Sequence, residues 1–193
     1  MKAGLYLAGL FLILMESCRS REAQEGGETG FFPVASYLLS QVRHVDTSIY
    51  SIVRISKIQA LSDTTYLKRE EFKAAAQEFL SLPDLTQKKL RARYTETKLY
   101  DEDLKKVVLS YAPKDKAQAE GIMRQDVLIE PDAGAGDQVQ TIYVETIAGN
   151  SDSTVQKRMT WNVNGKFQVI TIISKKNGPK VIKTTEVTWR DHP

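Results

Sequence analysis

The apolar residues of this chain are spaced for helices in the first half and for strands in the second. After Phe31-Phe32-Pro33, the residues Val34, Leu38, Val42 and Val45 recur at steps of three and four. That spacing predicts an amphipathic helix, with Pro33 suited to its first turn. An extended stretch from Ile49 to Ile58 follows. Ile49, Ser51, Val53, Ile55 and Lys57 fall on one side of it, and Ile52, Arg54 and Ile58 on the other. Glu70-Glu71 opens a second helix, with acidic groups at the positive end of the macrodipole. Phe72, Ala75, Ala76, Phe79 and Leu80 form its apolar stripe and Pro83 ends it. Leu85 to Arg93 reads as a short basic helix.

From Thr95 onward the period is two. Strands are predicted over Lys105–Ala112, Met123–Glu130, Val139–Ile147, Val155–Val163, Phe167–Ser174 and Val181–Trp189. Asn164-Gly165 is the strongest hairpin signal and predicts a two-residue type I′ turn with positive φ at both positions. Asn177-Gly178-Pro179 marks the next turn. Strands joined by short turns pair antiparallel. The expected fold class is α+β: an antiparallel meander sheet in the C-terminal part, with N-terminal helices packed on one face.

Alternate strand positions carry Ile142, Val144, Ile170 and Ile172 as well as Val163, Val169 and Ile173. Both faces of the sheet are therefore expected to hold apolar residues, and two faces of that kind need two covers. Helices supply one. A ligand, a partner or the sheet's own curvature would supply the other, which makes Trp161, Phe167 and Trp189 candidate ligand-facing residues.

Residues 1–17 behave differently from the rest. Lys2 precedes an uninterrupted apolar run from Ala3 to Met15 with five Leu, one Ile and one Phe. As a helix it would span about 20 Å at ~1.5 Å per residue, short of the ~30 Å hydrocarbon core of a bilayer. A run so short and so placed reads as a secretory signal. It ends Leu14-Met15-Glu16-Ser17-Cys18 and the chain then turns polar. This arrangement resembles a bacterial lipoprotein signal, in which a small residue precedes a cysteine that is lipidated and becomes the mature N-terminus. Ser17 fits that pattern, whereas Met15 and Glu16 depart from it. Cys18 is the candidate lipidation site and the only cysteine in the chain. Two or three acyl chains at ~0.8 kcal/mol per buried CH₂ would anchor the protein durably without a spanning helix. Residues 18–30 then hold the lipidated cysteine and a tether, RSREAQEGGETG, without large apolar side chains. Residues 31–193 are expected to form one globular domain. Arg19 in place of an inner-membrane retention Asp, and a tether of mixed charge, point to the outer membrane and its periplasmic face.

Composition narrows the chemistry. The net charge of +3, from 27 basic and 24 acidic residues, gives no electrostatic footprint for nucleic acid. Lys88-Lys89-Leu90-Arg91-Ala92-Arg93 is the densest basic cluster; it reads as a solvated helix face, with anionic headgroups as the alternative partner. The two histidines, His44 and His192, follow no nucleophile motif. Asp101-Glu102-Asp103 and the Asp132–Asp137 loop lack metal-ligand spacing and read as turns, so neither a cofactor nor a metal is expected. Asp63-Thr64-Thr65 and Asp152-Ser153-Thr154 fit a short acceptor pattern for O-glycosylation. Thr64 and Ser153 are thus candidate modification sites, expected in turns.

The Phe-Phe-Pro opening, the Leu-Lys-Arg-Glu-Glu-Phe-Lys helix start and the Met-Thr-Trp…Phe-Gln-Val-Ile hairpin together resemble lipoproteins of Bacteroidota, particularly of Chitinophaga relatives. The resemblance implies an envelope location and brings no activity with it. The reading that results is a lipid-anchored, non-catalytic binding or accessory module for an apolar ligand or an envelope protein. An envelope hydrolase using paired carboxylates and a purely structural subunit are the alternatives.

Overall fold

The computed structural model describes residues 30–115, 121–132 and 136–190. The chain divides after Gly30, and the body that follows contains four helical segments and nine strands. The helices are α1 (Val34–Asp46), α2 (Arg69–Ala75), α3 (Gln77–Leu80) and α4 (Lys88–Arg91). The strands are β1 (Ser51–Ile58), β2 (Leu61–Leu67), β3 (Tyr94–Asp101), β4 (Lys106–Pro113), β5 (Gly121–Glu130), β6 (Gln138–Gly149), β7 (Ser153–Asn162), β8 (Lys166–Lys175) and β9 (Val181–Arg190). They form one sheet in the order β2-β1-β9-β8-β7-β6-β5-β4-β3, antiparallel at every step. The fold is α+β with an antiparallel meander. Strands β3 to β9 follow one another in space, and β1 docks on β9 with Ile52 opposite Trp189. The hairpin β1–β2 thereby extends the meander from its C-terminal end.

Helix α1 buries Val34, Leu38, Val42 and Val45, the stripe expected from its spacing. The second predicted helix is two pieces, α2 and α3, broken at Ala76. Its start is fixed by the Lys68 N–H, which donates to the Glu71 carboxylate at 2.7 Å. Phe72, Ala76 and Phe79 still share one buried face across the break. Two rows of register mates on the sheet meet these helices. One runs Val187, Phe167, Trp161, Ile142, Val127, and the other Val169, Met159, Val144, Gln125, Tyr111. Burying each large apolar side chain contributes about 1.5–3 kcal/mol, so these rows and the two helix stripes carry the fold.

Three expectations are corrected by register. Ile142 and Val144 lie on the same face as Val169, because Val144 opposes Met159 and Met159 opposes Val169. The opposite face keeps Ile170 and Ile172, and their cross-strand mates there are Arg158, Gln156, Thr184 and Ile182. Both faces thus hold apolar residues, but one is apolar along its buried rows except at Gln125 and the other is mixed. Second, Asn162 pairs with Lys166, so the β7–β8 loop has three residues, Val163-Asn164-Gly165. Only Gly165 in it has positive φ, at 100°, and the type I′ expectation fails. Third, β2 was not foreseen. Its two-residue loop Gln59-Ala60 lacks Gly and Asn, and Gln59 itself takes the left-handed conformation with φ 53°.

Candidate functional site

A cleft of about 340 Å³ opens between the C-terminal turn of α1 and the β7–β8 loop. Gln41 and His44 line it from α1, Tyr50 from the segment that follows, Val163, Asn164 and Gly165 from the loop, and Trp189 from β9. Each wall is held by local bonds. Thr47 donates its N–H and its hydroxyl to the His44 carbonyl, at 3.3 and 3.0 Å, which closes α1. The Ser48 hydroxyl donates to the Val45 carbonyl at 2.8 Å and accepts the Tyr50 N–H at 3.3 Å. Tyr50 is thereby set edge-on to His44, with ring centroids 6.1 Å apart. On the facing wall the Asn164 N–H donates to Asn162 Oδ1 at 2.9 Å and the Val163 N–H to the Gln140 carbonyl at 3.1 Å. The Trp189 N–H donates to the Gly165 carbonyl at 2.8 Å.

The resulting lining is an indole, a phenol, an imidazole and two carboxamides. It contains no carboxylate, no serine and no cysteine. A carboxylate pair and a serine or cysteine nucleophile are therefore missing from this cleft. Its volume and mixed lining suit a small ligand with one flat apolar face and a few hydrogen-bonding groups.

The candidate ligand-facing aromatics are not on a free surface. Trp161 and Phe167 are fully buried and stacked on each other, with centroids 5.2 Å apart and planes at 17°. Phe72 and Phe79 cover them edge-on from the helices, Phe79 at 5.2 Å from Trp161. Trp189 joins the same cluster, 5.0 Å from Phe72, and is 4% exposed. Helix aromatics occupy the space that a ligand would have needed, so Trp161 and Phe167 are core residues. Trp189 alone reaches the cleft, where it contributes to the wall. Gln41 and His44 share a face of α1 and Tyr50 follows the helix end, but no sequence signal shows that this face meets the β7–β8 loop.

The face away from the helices carries a charged array. Arg124 Nε lies 2.7 Å from Asp126 Oδ2, Lys166 Nζ 2.8 Å from Glu186 Oε2, and Arg158 Nε 3.7 Å from Glu145 Oε1. Gln156 donates to Glu145 and Gln168 to Glu186. Burial raises the Tyr143 phenol above its ordinary range and Glu145 adds to the rise, while Arg158 and Arg124 oppose it. Each of these three carboxylates is matched to a cation, while the second Asp126 oxygen, Oδ1, is buried with no hydrogen-bond partner among the described residues.

Thr64 sits in the middle of the edge strand β2, opposite Ile55, and not in a turn. Ser153 opens β7, where its N–H and that of Asp152 both donate to Asn150 Oδ1 at 2.9 and 3.0 Å. Of the two, only Ser153 adjoins a turn. Cys18 and His192 lie outside the described residues, as do the central residues of the Asp132–Asp137 loop. Asp101 caps its own turn, accepting the N–H groups of Asp103 and Leu104 at 3.0 and 2.9 Å. In the basic segment, Leu90 packs on the core and the Arg91 guanidinium lies 5.8 Å above the Phe31 ring.

Among the described residues no group of three or more His, Cys, Asp or Glu could hold a metal ion, and no helix is long and apolar enough to cross a membrane. No family model, curated protein or solved structure matches this chain.

Proposed function

We propose that the protein is a lipid-anchored module of the cell envelope that binds a small, partly apolar ligand without transforming it. Acyl chains on Cys18 would hold it to the outer membrane, on the periplasmic face, through the tether that ends at Gly30. The observation that carries the binding role is the lining of the α1/β7–β8 cleft, with aromatic and carboxamide groups and no carboxylate, serine or cysteine. Ligand binding there would place an apolar ring against Tyr50, with Trp189 behind it in the wall, while Gln41 and Asn164 supply donors and acceptors.

Two measurements test the two halves separately. Expressed with its signal in a diderm host, the protein should partition into detergent, and Cys18→Ala should move it to the aqueous phase. Equal partitioning of both forms would refute the anchor. For the cleft, tryptophan emission should change on titration with lipids or hydrophobic dyes, and Tyr50→Ala should weaken that response about tenfold, the loss of one aromatic contact. A response that is absent, or indifferent to Tyr50, leaves the structural accessory role.

A further inference from the structure

Among the described residues the sheet has two open edges, β2 and β3. From Thr95 to Tyr100, β3 is exposed; Leu99 and Tyr100 are 61% and 49% exposed, and Leu104 in the next turn is 51% exposed. Proteins blunt such edges with bulges, proline or unmatched charge. Strand β3 has no break in its register with β4, and its charges are of opposite sign on either side of Thr97.

The sequence around Thr97 is complementary to its own reverse. Glu96 mirrors Lys98, Thr95 mirrors Leu99, Tyr94 mirrors Tyr100 and Arg93 mirrors Asp101. The backbone fixes which of these can bond outward. The Lys114 N–H donates to the Arg93 carbonyl at 2.9 Å, so Arg93, Thr95, Thr97 and Leu99 bond inward to β4. The N–H and C=O groups of Tyr94, Glu96, Lys98 and Tyr100 therefore point to the open side. In an antiparallel pair centred on Thr97, outward residues oppose outward residues, Glu96 against Lys98 twice. The two adjacent registers that also match bonding groups place Glu96 on Glu96 or Lys98 on Lys98. Charge thus selects one register among those the backbone permits.

We propose that β3 pairs antiparallel with β3 of a second copy of this chain about a two-fold axis at Thr97, joining two nine-stranded sheets into one. Such an interface is isologous and closes at two subunits. Strand β2 has no equivalent code, since Asp63 is its one charged residue. The contact is small and belongs with weak, transient interfaces, so trapping is the appropriate test.

The full chain in detergent, carrying Cys18→Ser, receives a single new thiol. Across a non-hydrogen-bonded pair the Cα atoms approach to about 4.5 Å, within disulfide reach. Thr97→Cys should therefore cross-link to a dimer under mild oxidation, whereas Thr64→Cys on β2 should not. Adding Lys98→Glu should slow the Thr97 cross-link about tenfold, and adding Glu96→Lys to that variant should restore it. Glu96 also accepts a hydrogen bond from Tyr111 at 2.8 Å, so folding of the charge-swapped variant is checked by circular dichroism. Should it not fold, mixing Thr95→Cys with Leu99→Cys chains decides, because these register mates should cross-link faster together than either does alone. Equal rates at Thr64 and Thr97, or no effect of Lys98→Glu, would overturn the proposal, and so would mixed chains that cross-link no faster than single ones.

Discussion

The sheet is stabilised differently at its two ends. Over β7, β8 and β9 the helices lay Phe72 and Phe79 on Trp161, Phe167 and Trp189, and ring contacts fill the space. The price is one buried donor, Trp161 Nε1, which has no partner among the described residues. Over β3 and β4 the buried aromatic residues are Tyr94 and Tyr111, and both hydroxyls are bonded. Tyr111 accepts the Phe32 N–H at 3.0 Å and donates to Glu96 at 2.8 Å, while Tyr94 donates to the Ile122 carbonyl at 2.9 Å. Phe31 packs on Tyr111 with centroids 4.7 Å apart. One end is held by apolar area and packing, with little directionality. The other is held by a few directed bonds that fix where the start of the body meets the sheet. The first should be sensitive to lost volume, the second to lost hydroxyls and to pH.

Phe72→Ala tests the first end most severely. It removes a fully buried ring in contact with three others, at a cost of about 3–5 kcal/mol. Chemical denaturation should show a large fall in midpoint, together with a changed near-ultraviolet signal from the tryptophans. A loss under about 1 kcal/mol would mean that the aromatic cluster is loosely packed.

Tyr111→Phe tests the second end. It keeps the ring but leaves the Phe32 N–H without its acceptor, and about 2 kcal/mol should be lost. The pH dependence separates this from a packing effect. Burial pushes the Tyr111 phenol well above its ordinary value of 10.0; Phe32 lowers it and Glu96 raises it further. The folded state thus favours the neutral phenol. Its contribution is complete below pH 10 and is lost as pH rises beyond that value. Melting temperatures of the native protein should fall above pH 10 more steeply than those of Tyr111→Phe; parallel curves would remove Tyr111 from the account.

Gly165→Val gives the smallest effect. It forces a β-branched residue to a φ of 100° in the β7–β8 loop, for about 1 kcal/mol or somewhat more. Because this loop also walls the cleft, ligand-induced changes in tryptophan emission should weaken in parallel. An unchanged melting temperature would show that the loop relaxes freely.

Much of this architecture was legible in the residues themselves. The stripe Val34, Leu38, Val42, Val45 specifies α1, since burial at steps of three and four suits only a helix. Alternation places the strands from β4 to β9 within a residue or two of their observed limits. Because meander connections are short, antiparallel order follows with little choice. An apolar leader followed by Cys18 is likewise a property of the sequence alone, and it is the source of the envelope proposal.

Other features depend on distances that no local pattern records. A shift of one residue in strand register reverses every side chain, so only the pairing of Val144 with Met159 and of Met159 with Val169 shows that one face is apolar and the other mixed. The loop at Asn164-Gly165 is one residue longer than its turn signal suggests, because Asn162 and not Val163 is the mate of Lys166. The aromatic trio has the composition of a ligand platform, but Phe72 and Phe79 lie on it. The cleft exists because α1 ends beside β9, the strand farthest from it along the chain, and the sequence holds no signal for that meeting. Periodicity determines which residues avoid water; only the tertiary fold decides what they are buried against.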